Sequence, residues 1–547
     1  MRPAAGLIGP SSIFAKGLRD SRWAIVIACV FVGFVMLVGA AAVAAAFGTV
    51  EARRQMIALS TTLPAIFQSM LGPPVALETL GGLIEWRYGI ILGVLLPVWS
   101  ILALSGTLAG EADRGSLEVL ATTGVTRRRI AIEKVAAHLV AVLVMLAALA
   151  TAVWLSGVVF ATLPGDAISP AAAIGYTALT TVLVLTPGAI AFAAAPFVGR
   201  GAAAGVAALA MVAGYLVNGF HDSVPLFETL RPLSWFAWTA NHIPLAGRDD
   251  WAPIAGMAIL ATALLVIGVV AFERRDVGRV VRLPAPRTPA FLLGLRGPLG
   301  RAFGERLRAS TAWGLAMGLY TLVIAGTSAT LADAIGQIPA LQQIMRLLYP
   351  DVDYHTVAGV LELTLTNNGL ILFGFVAATA VAGWASDESS GRLEVVLSAP
   401  LGRFAWFIRS GLGTFLAITV SAAIVSVAAA AGAANQGSDA GTPARGAFVF
   451  ALYGLAWAGV GLGIGGLFRS SLAAGTVIVL TVGSFLLELF ATALKLPDWV
   501  ADLTLGTHYG RPFVGSWDAT GIVASLGLAF GGLVVGAWGM ARRDVRG

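Results

Sequence analysis

Two stretches of this 547-residue chain carry the same charged and apolar letters in the same order. Residues 115–127 read GSLEVLATTGVTR and residues 391–403 read GRLEVVLSAPLGR, so Gly, Leu, Glu, Val and the closing Arg coincide at a constant offset of 276. Acids precede each copy: Glu111 and Asp113 in the first, Asp387 and Glu388 in the second. Leu117, Leu120 and Ala121 have i, i+3, i+4 spacing, as do Leu393, Val396 and Leu397, which gives each copy a short helix with one apolar face. Acid at the start and Arg at the end (Arg127, Arg403) suit the helix dipole. Gly115 and Gly391 let the chain turn at the start of each copy. The chemistry of such a unit is recognition. It can lie on lipid headgroups or dock into a groove of a partner. Repetition of the acids, of Glu118 and Glu394 within Leu-Glu-Val, and of the closing Arg favours docking.

Other chemistries find little support. A phosphate-binding loop needs Gly-Lys-Ser/Thr. The three lysines, Lys16, Lys134 and Lys495, follow Ala15, Glu133 and Leu494, so this chain is expected to hydrolyse no ATP. The five histidines are scattered without a metal-ligand pattern, and no metal or cofactor is expected in the chain. Cys29, the single cysteine, sits in an apolar run and reads as a small buried hydrophobe. Glu488 is the acid deepest inside an apolar segment, and Asn367 and Asn368 flank another, which makes these three candidates for a substrate pathway.

The segments that position these residues follow from composition. Only 12% of residues are charged and 58% are hydrophobic, whereas a soluble domain carries roughly 25% charged residues. Lipid must be the solvent for much of the chain. Runs of about 20 apolar residues mark spanning helices, expected at 23–47, 88–109, 131–159, 171–197, 201–220 and 252–272, then 311–332, 368–386, 404–433, 446–467, 472–494 and 518–541. The first run is too long for a signal peptide, whose apolar region is about 7–15 residues, and reads as a retained span.

Charge sets the direction. With the N-terminus inside, the inside segments hold 26 Lys and Arg against 12 Asp and Glu, and the outside segments hold 9 against 16. Basic residues are retained on the cytoplasmic side, so both termini are expected in the cytoplasm. The net charge of +6 therefore points to a membrane and not to nucleic acid.

The fold expected is an all-α polytopic membrane protein of about twelve spans. Its halves are residues 1–278 and 301–547, joined by an Arg-, Pro- and Gly-rich cytoplasmic linker at 279–300. ERRDV at 273–277 and ARRDV at 541–545 close the two halves, and Ala203-Ala204-Gly205 pairs with Ala473-Ala474-Gly475. Six spans per half is even, so the repeat is parallel and a pseudo-twofold axis is expected along the membrane normal.

The duplicated motif, the six-span halves and the basic stretches SSIFAKGLRDSRW (11–23) and RAFGERLRASTAW (301–313) resemble the permease subunit of ABC-2 type exporters. A fused two-half chain is similar to the actinobacterial exporters of polyketide antibiotics, including tetronasin-type and mycobacterial multidrug efflux permeases. The resemblance implies type V exporter-like topology in a bacterial plasma (inner) membrane, with elbow helices at those basic stretches. It implies a separate ATPase subunit in two copies that holds ATP and Mg. It places Glu111, Asp113, Gly115, Leu117, Glu118, Leu120 and Arg127 in a first coupling region, and Asp387, Glu388, Gly391, Leu393, Glu394, Val396 and Arg403 in a second. Ser389 stands where the first copy has Asp113. In the family the segment before the sixth span dips into the outer leaflet, where His242 to Leu245 and His508 to Phe513 fall. An apolar pathway suits a lipophilic or amphipathic substrate such as a drug or antibiotic, with a lipid or glycan as the alternative.

External loops are expected at 48–87 and 333–367, the first amphipathic through Ile57, Leu63, Ile66, Phe67 and Met70. A proton-coupled secondary transporter also has twelve spans, and Gly110, Asp113 and Arg114 match part of its loop motif. Ser116 to Val119 stand where its basic residues belong, and the second copy keeps Leu-Glu-Val instead.

Overall fold

The computed structural model describes residues 12–62, 72, 74–108, 125–274, 297–336, 338, 342, 352–389, 391–493 and 496–543. The chain divides into two compact units, Met1–Val281 and Arg282–Gly547. Among the described residues, twelve helices are long and apolar enough to cross a membrane, six in each unit.

The first unit contains α1 (Ile13–Phe47), α2 (Val50–Thr62), α3 (Leu80–Thr107), α4 (Arg127–Val159), α5 (Pro170–Val198), α6 (Arg200–Gly219) and α7 (Trp251–Glu273). All but α2 are spans. Their starts are written in the sequence: Ser12, Thr79, Thr126, Ser169 and Asp250 each accept a backbone N–H of the first turn that follows. The second unit contains α8 (Pro298–Gly326), α9 (Val357–Ser389), α10 (Arg392–Leu397), α11 (Arg403–Asn435), α12 (Val449–Leu467), α13 (Ser470–Ala493) and α14 (Ala519–Arg542).

The duplication is visible in packing. In each unit the first span packs along the third, while the second, fifth and sixth pack on the fourth. Lipid offers no hydrophobic drive between helices, so close contact depends on small residues. In the second unit Gly459, Gly463 and Gly466 of α12 meet Gly532, Gly536 and Gly539 of α14, backbone against backbone. In the first unit the equivalent pair uses a knob: the Phe192 ring of α5 seats on Gly268 of α7. The outward faces of the sixth spans are apolar, with Ile259 and Val266 on α7 and Val523 and Val534 on α14 exposed, as a lipid-facing surface requires.

Six spans return the chain to the side it entered from. Each unit therefore has an entry end, where its first helix starts, and a distal end.

Three expectations change. Among the described residues the basic stretches form no separate elbow helix; 13–23 and 301–313 lie in the first half of α1 and α8, each of which is one continuous helix. At 35 residues α1 is ~52 Å long, well beyond the ~30 Å hydrocarbon layer. Next, α3 and α9 begin 8 and 11 residues before the apolar runs at 88 and 368, so Glu85, Arg87 and Glu362 are helical rather than loop residues. Finally, the segment 48–87, expected as an external loop, carries a helix, α2, that includes Ile57. Leu63, Ile66, Phe67 and Met70 lie outside the described residues, as does the linker up to residue 296.

Candidate functional site

At the entry end of the second unit, the last turn of α9 carries Asp387 and Glu388. Asp387 is buried and accepts from Arg301 Nη2 at 3.3 Å, with Arg306 Nη2 at 3.8 Å. Arg306 is itself buried, donating Nη1 to the Ala302 carbonyl at 2.6 Å and Nε to the Ala380 carbonyl at 3.3 Å. Glu388 pairs with Arg543, whose Nη1 also donates to the Phe468 carbonyl at 2.9 Å. Arg403 Nη1 donates to the Arg543 carbonyl at 2.7 Å, which ties the start of α11 to the end of α14.

These ties fix the last turn of α9, and α10 follows directly from it. Gly391 adopts φ 70°, a left-handed conformation that costs other residues energy, and turns the chain from α9 into α10. Leu393 points inward and is 1% exposed, Val396 is half-buried, and Glu394 and Val395 point outward, Val395 being 75% exposed. The acids expected to act together thus divide. Asp387 and Glu388 are matched by arginines within the unit, and Glu394 faces away from it. Val395, Arg301, Arg306 and Arg543 were not singled out by sequence; the RRDV repeat was the available signal for Arg543.

In the first unit Glu111, Asp113, Gly115, Leu117, Glu118 and Leu120 lie outside the described residues. Arg127 opens α4 behind Thr126, whose hydroxyl accepts the Arg129 N–H at 3.3 Å. Glu133 accepts from Arg129 Nε at 2.7 Å and from the Phe14 N–H at 3.1 Å, joining the starts of α4 and α1.

The distal ends hold a second duplicated device. In the first unit the Glu85 carboxylate on α3 accepts the backbone N–H of Leu245 at 3.0 Å; in the second, Glu362 on α9 accepts that of Phe513 at 2.8 Å. Both N–H groups lie in one turn of 3₁₀ helix, Pro244–Ala246 and Pro512–Val514, each closed by a left-handed glycine, Gly247 or Gly515. Antiparallel pairing follows, Ile243 with Arg248 and Arg511 with Ser516. Asp250 and Asp518 then cap the sixth spans. Gly175 and Gly446 give the turns room, since a Cβ at either would strike Pro244 or Phe513. The signal was Pro-x-x-Gly-x-x-Asp, repeated at an offset of 268.

The first unit adds a clamp there. Arg53 of α2 and Asp166, after α4, are 2% and 0% exposed and meet at 2.6 and 2.8 Å. Arg53 also donates to the carbonyls of Phe47 and Glu78. Burial alone would raise the Asp166 carboxyl; Arg53 and the N–H groups of Leu163, Thr162 and Leu80 outweigh it and hold the group well below the usual carboxylate range.

Of the pathway candidates, Glu488 sits near the distal end of α13, its carboxylate packed against Gly506 in the segment before α14. Asn368 is exposed and donates to the Thr364 carbonyl at 3.1 Å. The Asn367 side chain lies outside the described residues.

These features define a multi-pass membrane protein built from a duplicated six-span unit. Residues 12–277 match the family model "ABC-2 family transporter protein", and residues 295–540 match "Multidrug efflux system permease Rv1217c, C-terminal domain". The matches fall one on each unit and together span nearly the whole chain. The chain is an ABC-2 type permease, the membrane subunit of a transporter. No curated protein matches it.

Proposed function

We propose that this permease exports lipophilic or amphipathic compounds such as drugs, driven by a separate ATPase subunit that holds ATP and Mg²⁺. The ATPase docks on α10 of the second unit, and a second copy docks on residues 111–127 of the first. The entry ends face the cytoplasm of a bacterium, and the chain lies in its plasma membrane with both termini inside. One observation carries this reading: α10 offers Glu394 and Val395 outward while Leu393 is buried, and the turn of α9 just before it is tied by Arg301, Arg306 and Arg543. A short helix with an exposed apolar and acidic face suits a groove in a partner, and closure of that partner can be transmitted through Gly391 to α9 and the ion pairs of its last turn.

The test is substrate-stimulated ATPase activity of the co-purified complex. Glu394→Lys and Val395→Asp are expected to reduce it at least fivefold without changing the expression of the permease. Unchanged stimulation would move the docking surface elsewhere. Transport driven by a pH gradient with no ATPase present would favour a secondary transporter instead.

A further inference from the structure

The two distal carboxylates are twins in position and differ in their fourth neighbour. Glu362 has Thr366 one helical turn on, and the Thr366 hydroxyl donates to Glu362 Oε1 at 2.9 Å while the Phe513 N–H fills Oε2. Both oxygens are satisfied. The rings of Phe450 and Phe373 stack at 5.0 Å, and Phe450 lies 5.8 Å from Phe513, which packs that region with aromatic groups. Glu85 has Gly89 at the same spacing. Its Oε2 takes the Leu245 N–H, and Oε1 receives no hydrogen bond among the described residues. In place of a hydroxyl there is a cavity of about 430 Å³ within the first unit.

We propose that this cavity is a binding site for an aromatic or otherwise apolar ligand carrying a protonated amine. Its walls include Trp86, Tyr176, Tyr215 and Phe236. Aromatic faces attract cations, and a half-buried carboxylate on the wall of an apolar cavity offers an ammonium a charge-assisted hydrogen bond. The volume lies in the range of roughly 300–1,000 Å³ that takes drug-sized molecules. Other polar groups on the wall are committed or peripheral. His242 has Nε2 on the Gly175 carbonyl and Nδ1 accepting the Asp250 N–H. Trp86 Nε1 donates to the Gly72 carbonyl. His221 pairs with Asp222 at 3.3 Å, and Arg231 is exposed. Asp222 is largely exposed at the rim, so Glu85 is the half-buried carboxylate placed among the aromatic rings to anchor an ammonium. This inference rests on the reading of the chain as a permease for amphipathic compounds and names the site and charge of one ligand class.

The test uses the full chain in lipid nanodiscs without nucleotide, with dansylcadaverine as probe and its N-acetyl derivative as a neutral twin. The amine is expected to bind at least tenfold more tightly than the acetylated compound. Glu85→Gln keeps an acceptor for the Leu245 N–H and should remove that preference. Gly89→Thr, where a new Cβ meets only the Tyr176 hydroxyl at 3.9 Å, copies the second unit and should weaken the amine at least tenfold. The proposal is overturned if the wild-type chain binds neither probe or binds both equally, or if Glu85→Gln retains the preference. Glu394→Lys should leave probe binding intact, so failure of the docking reading and failure of this site are read separately.

Discussion

The Glu362 carboxylate receives the backbone N–H of Phe513 at 2.8 Å, joining the first turns of the second span to the loop before the sixth. The bond closes over 151 residues of chain and is matched in the other unit by Glu85 and Leu245. Because the acceptor is an oxygen and the donor a backbone amide, an amide side chain can replace the acid. Glu362→Gln should therefore keep most of the stability. Glu362→Ala leaves a buried N–H and the Thr366 hydroxyl without their acceptor, which costs about 1–3 kcal/mol. Thermal midpoints of the purified chain in one detergent check the order, wild type then Gln then Ala. Equal midpoints for Gln and Ala would refute the socket.

The Arg53–Asp166 clamp makes a statement about pH. The folded carboxyl lies below its ordinary value, so the folded state holds its proton less tightly than the unfolded chain. The stabilisation is fully present above the unfolded value of about 3.9 and is lost as pH falls from there through the folded value. Asp166→Asn should cost about 3–5 kcal/mol at neutral pH, because it strands a buried guanidinium. The gap between variant and wild type should stay constant from pH 8 to 5 and narrow below pH 4. A gap that narrows between pH 8 and 6 would contradict the assignment.

Backbone contact between α12 and α14 predicts a steric asymmetry among glycines. A Cβ at Gly532 would overlap the Gly459 carbonyl, whereas one at Gly483 meets nothing within 4 Å. Gly532→Leu should lower stability by about 1–3 kcal/mol or more, and Gly483→Leu should be nearly neutral. Thermal midpoints and the yield of folded chain after detergent extraction measure both.

The ion pairs on the last turn of α9, just before α10, should act as positioning groups. Arg543→Ala leaves Glu388 and the Phe468 carbonyl without their donor. Substrate-stimulated ATPase activity is expected to fall severalfold while basal hydrolysis persists. Charge restoration in the double variant Glu388→Arg, Arg543→Glu should recover part of the loss. No recovery would show that Arg543 acts through other contacts.

Much of this architecture is legible in the letters, because lipid enforces long apolar runs and leaves charge only where it is useful. The twelve spans and the charged repeats, Leu-Glu-Val and RRDV, follow from that constraint. The starts of α3 and α9 were hidden because Glu85, Arg87 and Glu362 look like loop residues. They are tolerated in helices where partners such as Leu245 and Phe513, about 150 residues away, satisfy them. Long-range pairing also hid the roles of Arg301 and Arg543, which meet Asp387 and Glu388 across 86 and 155 residues. Glu394 was legible as an acid in a repeat, but only the turn at Gly391 and the inward Leu393 single it out as facing away. Gly89 carried no signal until its counterpart Thr366 was seen bonded to Glu362.

The account turns on what touches α10. A photo-crosslinking residue placed at Val395 and, separately, at Trp238 near the distal end of the first unit gives the most direct measurement. On irradiation of cells making the full chain, position 395 should join covalently to a polypeptide that peptide sequencing shows to carry a P-loop. Position 238 should not. Capture of that polypeptide at 238 and not at 395, or an ATPase-free chain that transports at full rate, would contradict the account.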